Sequence, residues 1–236
     1  MNCEQLQKDF FPAELTLKLF GNQTQLLDKL TLINNYIEEV RASFDEHVLK
    51  IIQNNQIAHI YWMSNHYPEA ITHFEIVVEN MEAEDSPSKY LLAINLLIRG
   101  NRLLSNYKEA KKWIALAFGN SDIFHPFENL INLNDYADLV IDSGKAFDEN
   151  HIPLIQSIID KLGFPEKLED PVKTIQSMTK RNKLWSRKLS EWTIKYEESD
   201  LDERIKGIEQ YIDSCEIEWY RDYAKNSLEK LKNKKS

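Results

Sequence analysis

The chain has few residues of the two types that build disulfide frameworks and strand-rich folds. Its 236 residues include two cysteines, Cys3 and Cys215, and six glycines. Neither cysteine has a second cysteine or a histidine at the spacing of a metal site, so we expect no disulfide or zinc framework. Strand-rich folds need turn glycines and alternating β-branched runs, and the sequence shows neither. The sequence therefore predicts an all-α protein with two incidental thiols in a reducing cytoplasm.

Long apolar runs and catalytic signatures are also missing. The longest apolar run, residues 90–98, is about half of the roughly 20 residues that span a bilayer, and Asn95 interrupts it. The first residues, MNCEQLQKDFFP, contain no apolar segment typical of a signal peptide. No phosphate-binding glycine loop, nucleophile elbow or HExxH zinc motif occurs. We expect a cytoplasmic protein that is not an enzyme and has no membrane segment and no cofactor.

The histidines offer one weak metal pattern. Glu69 and His73 lie four residues apart, and His66 stands at the preceding turn. A zinc or di-iron site on helices would need further ligands on an inward face. Glu69 stands beside Ala70 and is expected to face solvent. We therefore interpret Glu69 and His73 as a surface helical pair and expect no metal.

One stretch, residues 51–81, predicts two helices folded against each other. Its turn is Asn65-His66-Tyr67, and Pro68 suits the first turn of the second helix because its φ is fixed and its N–H is missing. A similar turn, Ser105-Asn106-Tyr107, follows 40 residues later. Apolar residues recur at helical period after each turn. They are Ala70, Ile71, Phe74, Val77, Val78 and Met81 after the first, and Ala110, Ile114 and Ala117 after the second.

The pattern Asn65-x-Tyr67-x-Glu69-Ala70-x-x-x-Phe74 resembles the turn and second helix of a tetratricopeptide repeat (TPR). Ala58 and Tyr61 fall at the small and aromatic positions of its first helix. The match departs from the family pattern at Asn54, where a tryptophan is typical, and the spacing of 40 residues exceeds the ideal of about 34. The resemblance implies a short α-solenoid of TPR-like antiparallel helix hairpins. Such a stack has a concave surface that suits a protein or peptide partner.

The same periodicity predicts helices along the rest of the chain. We place them at residues 12–20, 24–40, 44–64, 68–82, 90–104, 107–118, 130–147, 152–162, 172–196, 201–213 and 216–232. A capping box, Ser43-Phe44-Asp45-Glu46, would start the third of these at Phe44. The apolar residues 90–98 predict an enclosed helix. We divide the chain into a TPR-like region with N-terminal helices, 1–164, and C-terminal hairpins, 165–236, expected to pack on the same solenoid.

Charge is unevenly distributed along the chain, whose net charge is −9. Residues 121–170 contain three basic and eleven acidic side chains, whereas residues 171–190 contain six basic and no acidic ones. Asp135, Asp138 and Asp142 recur at i, i+3 and i+7, and Glu149 lies just beyond. Two interpretations remain open: a solvated helix face, or a docking surface for a basic partner. We take Asp135, Asp138, Asp142 and Glu149 as candidate partner-binding residues.

These patterns favour a non-catalytic helical-repeat protein that binds a partner protein. The acidic, Asn/Lys-rich character and degenerate repeats also resemble the immunity proteins of bacterial polymorphic toxin systems. That resemblance implies neutralisation of a cognate toxin by direct binding, here of a basic toxin domain. One alternative is a regulatory TPR-like module that holds a peptide in the groove of the first two hairpins.

Nucleic-acid binding through residues 180–188 is a further alternative. Basic residues interleaved with Trp185 and Trp192 can contact phosphates and stack on bases. Two facts oppose this interpretation. The two tryptophans share an apolar stripe that is typical of a core, and acidic segments flank the basic one on both sides.

Overall fold

A computed structural model describes residues 3–7, 10–21, 24–196 and 199–233 of the chain. These residues form twelve α-helices and no β-strand, which confirms the all-α prediction. The helices group into two compact units, residues 1–125 and 126–236. Within the described ranges, no helix has both the length and the apolar composition needed to cross a membrane.

The first unit has a solenoid-like arrangement. From α3 onward, each of its helices packs against the next one in the chain, while α1 packs on α4 and α2 on α3. Each hairpin thus buries its apolar side against its neighbours. The helices are α1 (Cys3–Gln7), α2 (Ala13–Phe20), α3 (Leu26–Val40), α4 (Glu46–Met63), α5 (Tyr67–Glu79), α6 (Pro87–Leu103) and α7 (Tyr107–Gly119).

The helix α6 is enclosed along most of its length, as the apolar residues 90–98 predict. Of the apolar side chains in that segment, only Leu92 reaches solvent, with 45% of its surface exposed. The buried ones are Tyr90, Leu91, Ala93, Ile94, Leu96, Leu97 and Ile98. The prediction of an enclosed helix is therefore confirmed at every apolar position except Leu92. Packing against α5 and α7 accounts for two of its covered sides.

The turn of the α4–α5 hairpin is repeated in the α6–α7 hairpin. Asn65 and Ser105 both adopt left-handed backbone, with φ of 60° and 59°. In the first turn the His66 N–H donates to the Tyr61 carbonyl at 2.9 Å. The Asn106 N–H donates to the Asn101 carbonyl at 2.7 Å in the second. The correspondence between the two hairpins, read from sequence spacing, is thus present in the backbone geometry.

Several helices begin at other residues than the periodicity predicts, among them α4, α6 and α8, and α1 was not predicted. The Asp45 carboxylate caps α4 by accepting from the amides of His47 and Val48 at 2.9 and 3.1 Å. The predicted capping box is therefore wrong, and Ser43 instead ends a 3₁₀ turn over Arg41–Ser43. Both α6 and α8 begin earlier than predicted, at a proline, because proline suits the first turn of a helix.

The second unit adds contacts between helices that are not neighbours in the chain. It contains α8 (Pro126–Ser143), α9 (Ile152–Leu162), α10 (Pro171–Lys195), α11 (Leu201–Ser214) and α12 (Glu218–Asn233). The helix α8 packs against both α9 and α10, and α9 packs also against α12. The helices α11 and α12 form a close hairpin of chain neighbours, as expected for the last pair. The division of the chain between residues 164 and 165 stays a prediction.

Two glycines allow close approach of helices in the second unit. Gly163 follows α9 in left-handed backbone, and its carbonyl accepts from the Glu218 N–H at 3.2 Å. A Cβ at Gly163 would lie 2.3 Å from the Glu218 Cβ. A Cβ at Gly207 would lie 2.6 Å from the Tyr196 ring and 2.7 Å from the Trp192 Nε1. The contacts of α9 with α12 and of α10 with α11 therefore require these positions to lack a side chain.

Alanine substitutions at three glycines should separate the free-energy cost of left-handed backbone from the cost of a steric clash with a neighbouring helix. Gly144 has a φ of 64° with nothing near its missing Cβ, and Gly119 has neither constraint. We expect Gly144→Ala to cost about 1–2 kcal/mol of unfolding free energy, and Gly163→Ala to cost more because a clash is added. Gly119→Ala should change stability by less than about 0.5 kcal/mol. Urea unfolding curves measure all three, and equal midpoints for Gly163→Ala and Gly119→Ala would contradict the packing.

Candidate partner-binding surfaces

The structure separates the four candidate acidic residues by exposure. Asp135 is buried, with 2% of its surface exposed, and Asp138 is half-buried. Asp142 and Glu149 are exposed, the latter on the 3₁₀ turn Glu149–His151. The expectation of one solvated face along α8 therefore applies to Asp138 and Asp142 and not to Asp135. We call Asp138, Asp142 and Glu149 the acidic surface.

Asp135 is one of three buried polar residues that form a stripe on the covered side of α8. Asn129, Asn132 and Asp135 recur at intervals of three residues, and all are buried. Both polar atoms of the Asn132 side chain lack a hydrogen-bond partner among the described residues. Burying an unpaired amide costs free energy, so this stripe is unusual for a helix interior. Apolar periodicity does not reveal it, because these side chains are polar and yet covered.

The segment that carries Glu149 is held against α8. The Asp148 N–H donates to the Tyr136 hydroxyl at 2.9 Å, and the Asp148 carboxylate accepts from the Asn150 N–H at 3.1 Å. The Tyr136 ring packs on Phe147 and on His151. Burial raises the pKa of Tyr136, so its hydroxyl stays protonated. The part of the acidic surface beyond α8 is therefore supported by a folded turn.

A second charged surface lies on α10. Lys180, Lys183 and Arg187 recur at i, i+3 and i+7 and are all exposed. With Ser177, Arg181 and Leu184 they line a pocket of about 580 Å³. We call Lys180, Lys183, Leu184 and Arg187 the basic face.

The cations of the basic face are only weakly compensated. Lys180 and Lys183 form no ion pair within the described part of the chain. Arg187 lies 3.5 Å from Glu191, but both side chains are exposed, and exposed pairs of this kind contribute little to stability. Lys180 and Lys183 therefore carry positive charge that no described carboxylate neutralises by a direct ion pair.

Arg181 differs from its neighbours because two carboxylates anchor it. Its Nε donates to the Glu166 Oε1 at 2.7 Å, and its Nη1 pairs with Glu216. The Glu166 side chain is 8% exposed and also accepts a hydrogen bond from the Ser177 hydroxyl at 2.9 Å. The hydrogen bond to Glu166 raises the pKa of Arg181, so the guanidinium stays charged. Arg181 on α10 thus connects the segment before α10, through Glu166, with the segment before α12, through Glu216.

The tryptophans of α10 belong to the interior of the unit. Trp185 is buried and packs edge-on against Tyr211, whose hydroxyl donates to the Trp185 carbonyl at 3.1 Å. Trp192 is half-buried and packs beside Tyr196 and Gly207. The Lys188 Nζ lies 4.0 Å from the Trp185 ring centroid. Trp185 therefore has no open face for a base, which weakens the nucleic-acid alternative.

The Glu69–His73 pair expected from the sequence is not formed. Glu69 Oε1 lies 3.8 Å from His66 Nδ1. The His73 ring stacks on Tyr61, and its Nδ1 lies 2.7 Å from the Asn54 Oδ1. Among the residues that the structure describes, no group of three or more His, Cys, Asp or Glu side chains could hold a metal ion.

Comparison of the sequence with protein-family models and with curated proteins finds no match. The two charged surfaces and the repeated hairpins are therefore the features from which a function can be inferred.

Removing the anchored cation should destabilise the second unit. We expect Arg181→Met to lower the unfolding free energy by about 1–3 kcal/mol, because Glu166 would be left covered without its counter-charge. Lys183→Met, two positions along α10, removes an exposed charge and should cost less than about 0.5 kcal/mol. Chemical unfolding monitored by far-UV circular dichroism compares the two. Equal stabilities would mean that Arg181 does not hold the unit together.

Proposed function

We propose that the chain is a non-catalytic, TPR-like helical-repeat protein that binds a partner protein. The observation that carries the proposal is the repetition of one hairpin geometry. The left-handed turn residues Asn65 and Ser105 stand 40 residues apart, and α5 of the first hairpin packs directly on α6 of the second. Stacked hairpins of this kind present side chains on rigid helices, which is the property that repeat proteins use for binding.

The residues that suggested the TPR resemblance occupy positions consistent with it. Ala58 and Ala70, one on each helix of the first hairpin, are fully buried, as is Phe74. Small residues on both helices let the backbones approach, and the aromatic ring fills the space beside them. Ala110 and Ile114 are buried in the same way in the second hairpin. This agreement supports the TPR-like assignment.

We further propose that the partner is a toxin and that the chain is its immunity protein. The support is electrostatic. The acidic surface lies in a segment, residues 121–170, with eleven acidic and three basic side chains. A basic toxin domain would be attracted to such a segment, and charge complementarity raises both the association rate and the specificity. Because Asp135 is buried, the proposed contact residues narrow to Asp138, Asp142 and Glu149.

The partner can be found by affinity purification of the tagged full-length chain from its native host. We expect a basic protein to co-elute, to arrest growth when expressed alone, and to be tolerated when this chain is co-expressed. A co-eluting protein that does not impair growth would contradict the immunity role and leave the regulatory alternative. Recovery of growth is the decisive measurement.

Neutralising the acidic surface should weaken binding to that partner. For Asp138→Asn/Asp142→Asn/Glu149→Gln we expect affinity to fall at least about tenfold and its salt dependence to flatten. A matched control is Asp28→Asn/Glu39→Gln/Glu84→Gln, which removes three exposed carboxylates from the first unit. Calorimetric titrations at two salt concentrations compare the variants. Unchanged affinity and salt dependence in the first variant would dismiss this surface.

A further inference from the structure

The basic face is opposite in sign to the chain that carries it. The net charge is −9, yet residues 171–190 contain six basic and no acidic side chains. Four of the six lie near another group of the chain. Arg181 pairs with Glu166 and Glu216, and Lys188 sits over the Trp185 ring. Lys173 and Arg187 each lie 3.5 Å from a solvent-accessible carboxylate, that of Asp170 and that of Glu191. Lys180 and Lys183 form no ion pair among the described residues, and with Arg187 they are the cations of the basic face.

These three cations repel one another in the free protein. Lys180 and Lys183 are three residues apart and Lys183 and Arg187 are four apart, and like charges at both spacings destabilise a helix. An anionic ligand would relieve that repulsion. The positions span about 10 Å along α10, at 1.5 Å per residue. The basic face therefore matches a short anionic segment in size.

The side chains of the basic face favour one class of anionic ligand over others. A selective site for a small phosphorylated molecule uses anchored polar groups, whereas here only Arg181 is anchored and the lysines are exposed on flexible stems. Single-stranded nucleic acid uses open aromatic rings, and none is among the described residues that line the pocket. Duplex nucleic acid presents a uniform row of phosphates and has no apolar side chain to place on Leu184. An acidic polypeptide can supply carboxylates and apolar side chains together.

The basic face also includes one apolar side chain. Leu184 lines the same pocket as Lys180, Lys183 and Arg187 and is 36% exposed. It offers one apolar contact beside the cations. An acidic protein segment can supply both kinds of complementary group, carboxylates for the cations and one apolar side chain for the leucine.

We propose that the basic face of α10 is a docking site for an acidic segment of a protein partner. Carboxylates of that segment pair with Lys180, Lys183 and Arg187, and an apolar side chain packs on Leu184. This site lies on a helix other than the one that carries Asp138 and Asp142, and it does not depend on the immunity role. A partner of the acidic surface is basic, so the two surfaces select partners, or parts of a partner, of opposite charge.

Fluorescence anisotropy of the full-length chain with a labelled peptide tests the proposal. The probe is a glutamate-rich peptide of about ten residues with leucine at helical spacing, long enough to cover the basic face. We expect binding at low ionic strength that weakens as salt is added. Lys180→Gln/Lys183→Gln/Arg187→Gln should weaken it at least about tenfold. Leu184→Ser should weaken it severalfold without changing its salt dependence, since no charge is lost.

A matched control variant distinguishes docking at the basic face from non-specific attraction of the peptide to any exposed cations. Lys108→Gln/Lys111→Gln/Lys112→Gln removes three exposed cations from α7 and should leave peptide affinity unchanged within about twofold. Circular dichroism shows that each variant keeps its helix content. The proposal is overturned by no binding at low salt, by equal losses in the α7 and α10 variants, or by tighter binding of duplex DNA or phosphatidylserine vesicles than of the peptide.

Discussion

The close approach of helices at positions that carry little or no side chain is the constraint on which the first unit depends. Ala58 and Ala70 are fully buried within the first hairpin. Gly100 on α6 is buried where the second hairpin packs against side chains of the first. A Cβ at Gly100 would lie 3.0 Å from the Ile71 side chain and 3.3 Å from the Trp62 ring. Larger side chains at these points would separate the helices and open the interior to solvent. The close packing of α4, α5 and α6 thus depends on a few small residues.

In the second unit, charge takes part in both packing and surface chemistry. Arg181 comes from the same acid-free segment as Lys180 and Lys183, but Glu166 and Glu216 hold it in place. One cation of the segment therefore stabilises the unit, while its neighbours stay exposed and uncompensated. Opposite charge is concentrated around Asp142 and Glu149, which are also exposed. The exposed cations of the basic face and the carboxylates of the acidic surface stand on different elements of the second unit, an arrangement that suits selective association.

Sequence periodicity predicted the local structure well, because it reports which side of a helix is apolar. The turns at Asn65 and Ser105, the buried Ala70 and Phe74, and the enclosed α6 all follow from spacing alone. Periodicity could not predict the burial of Asp135, since a covered carboxylate looks like a solvated one in a sequence. It also could not show that α9 packs against α12, because contacts between distant segments leave no local pattern. For the same reason, the interaction of Arg181 with Glu166 and Glu216 could not be foreseen.

The contacts between distant helices in the second unit have a consequence for synthesis. Helices α3 to α7 contact their immediate neighbours, so each hairpin of the first unit can form as soon as it has left the ribosome. The second unit needs α12 to cover α9, and Arg181 needs Glu216, which is translated 35 residues later. These contacts between distant segments can therefore form only after α12 has been synthesised. Until then, the apolar side of α9 that α12 covers is exposed to solvent, where it can associate with other apolar surfaces.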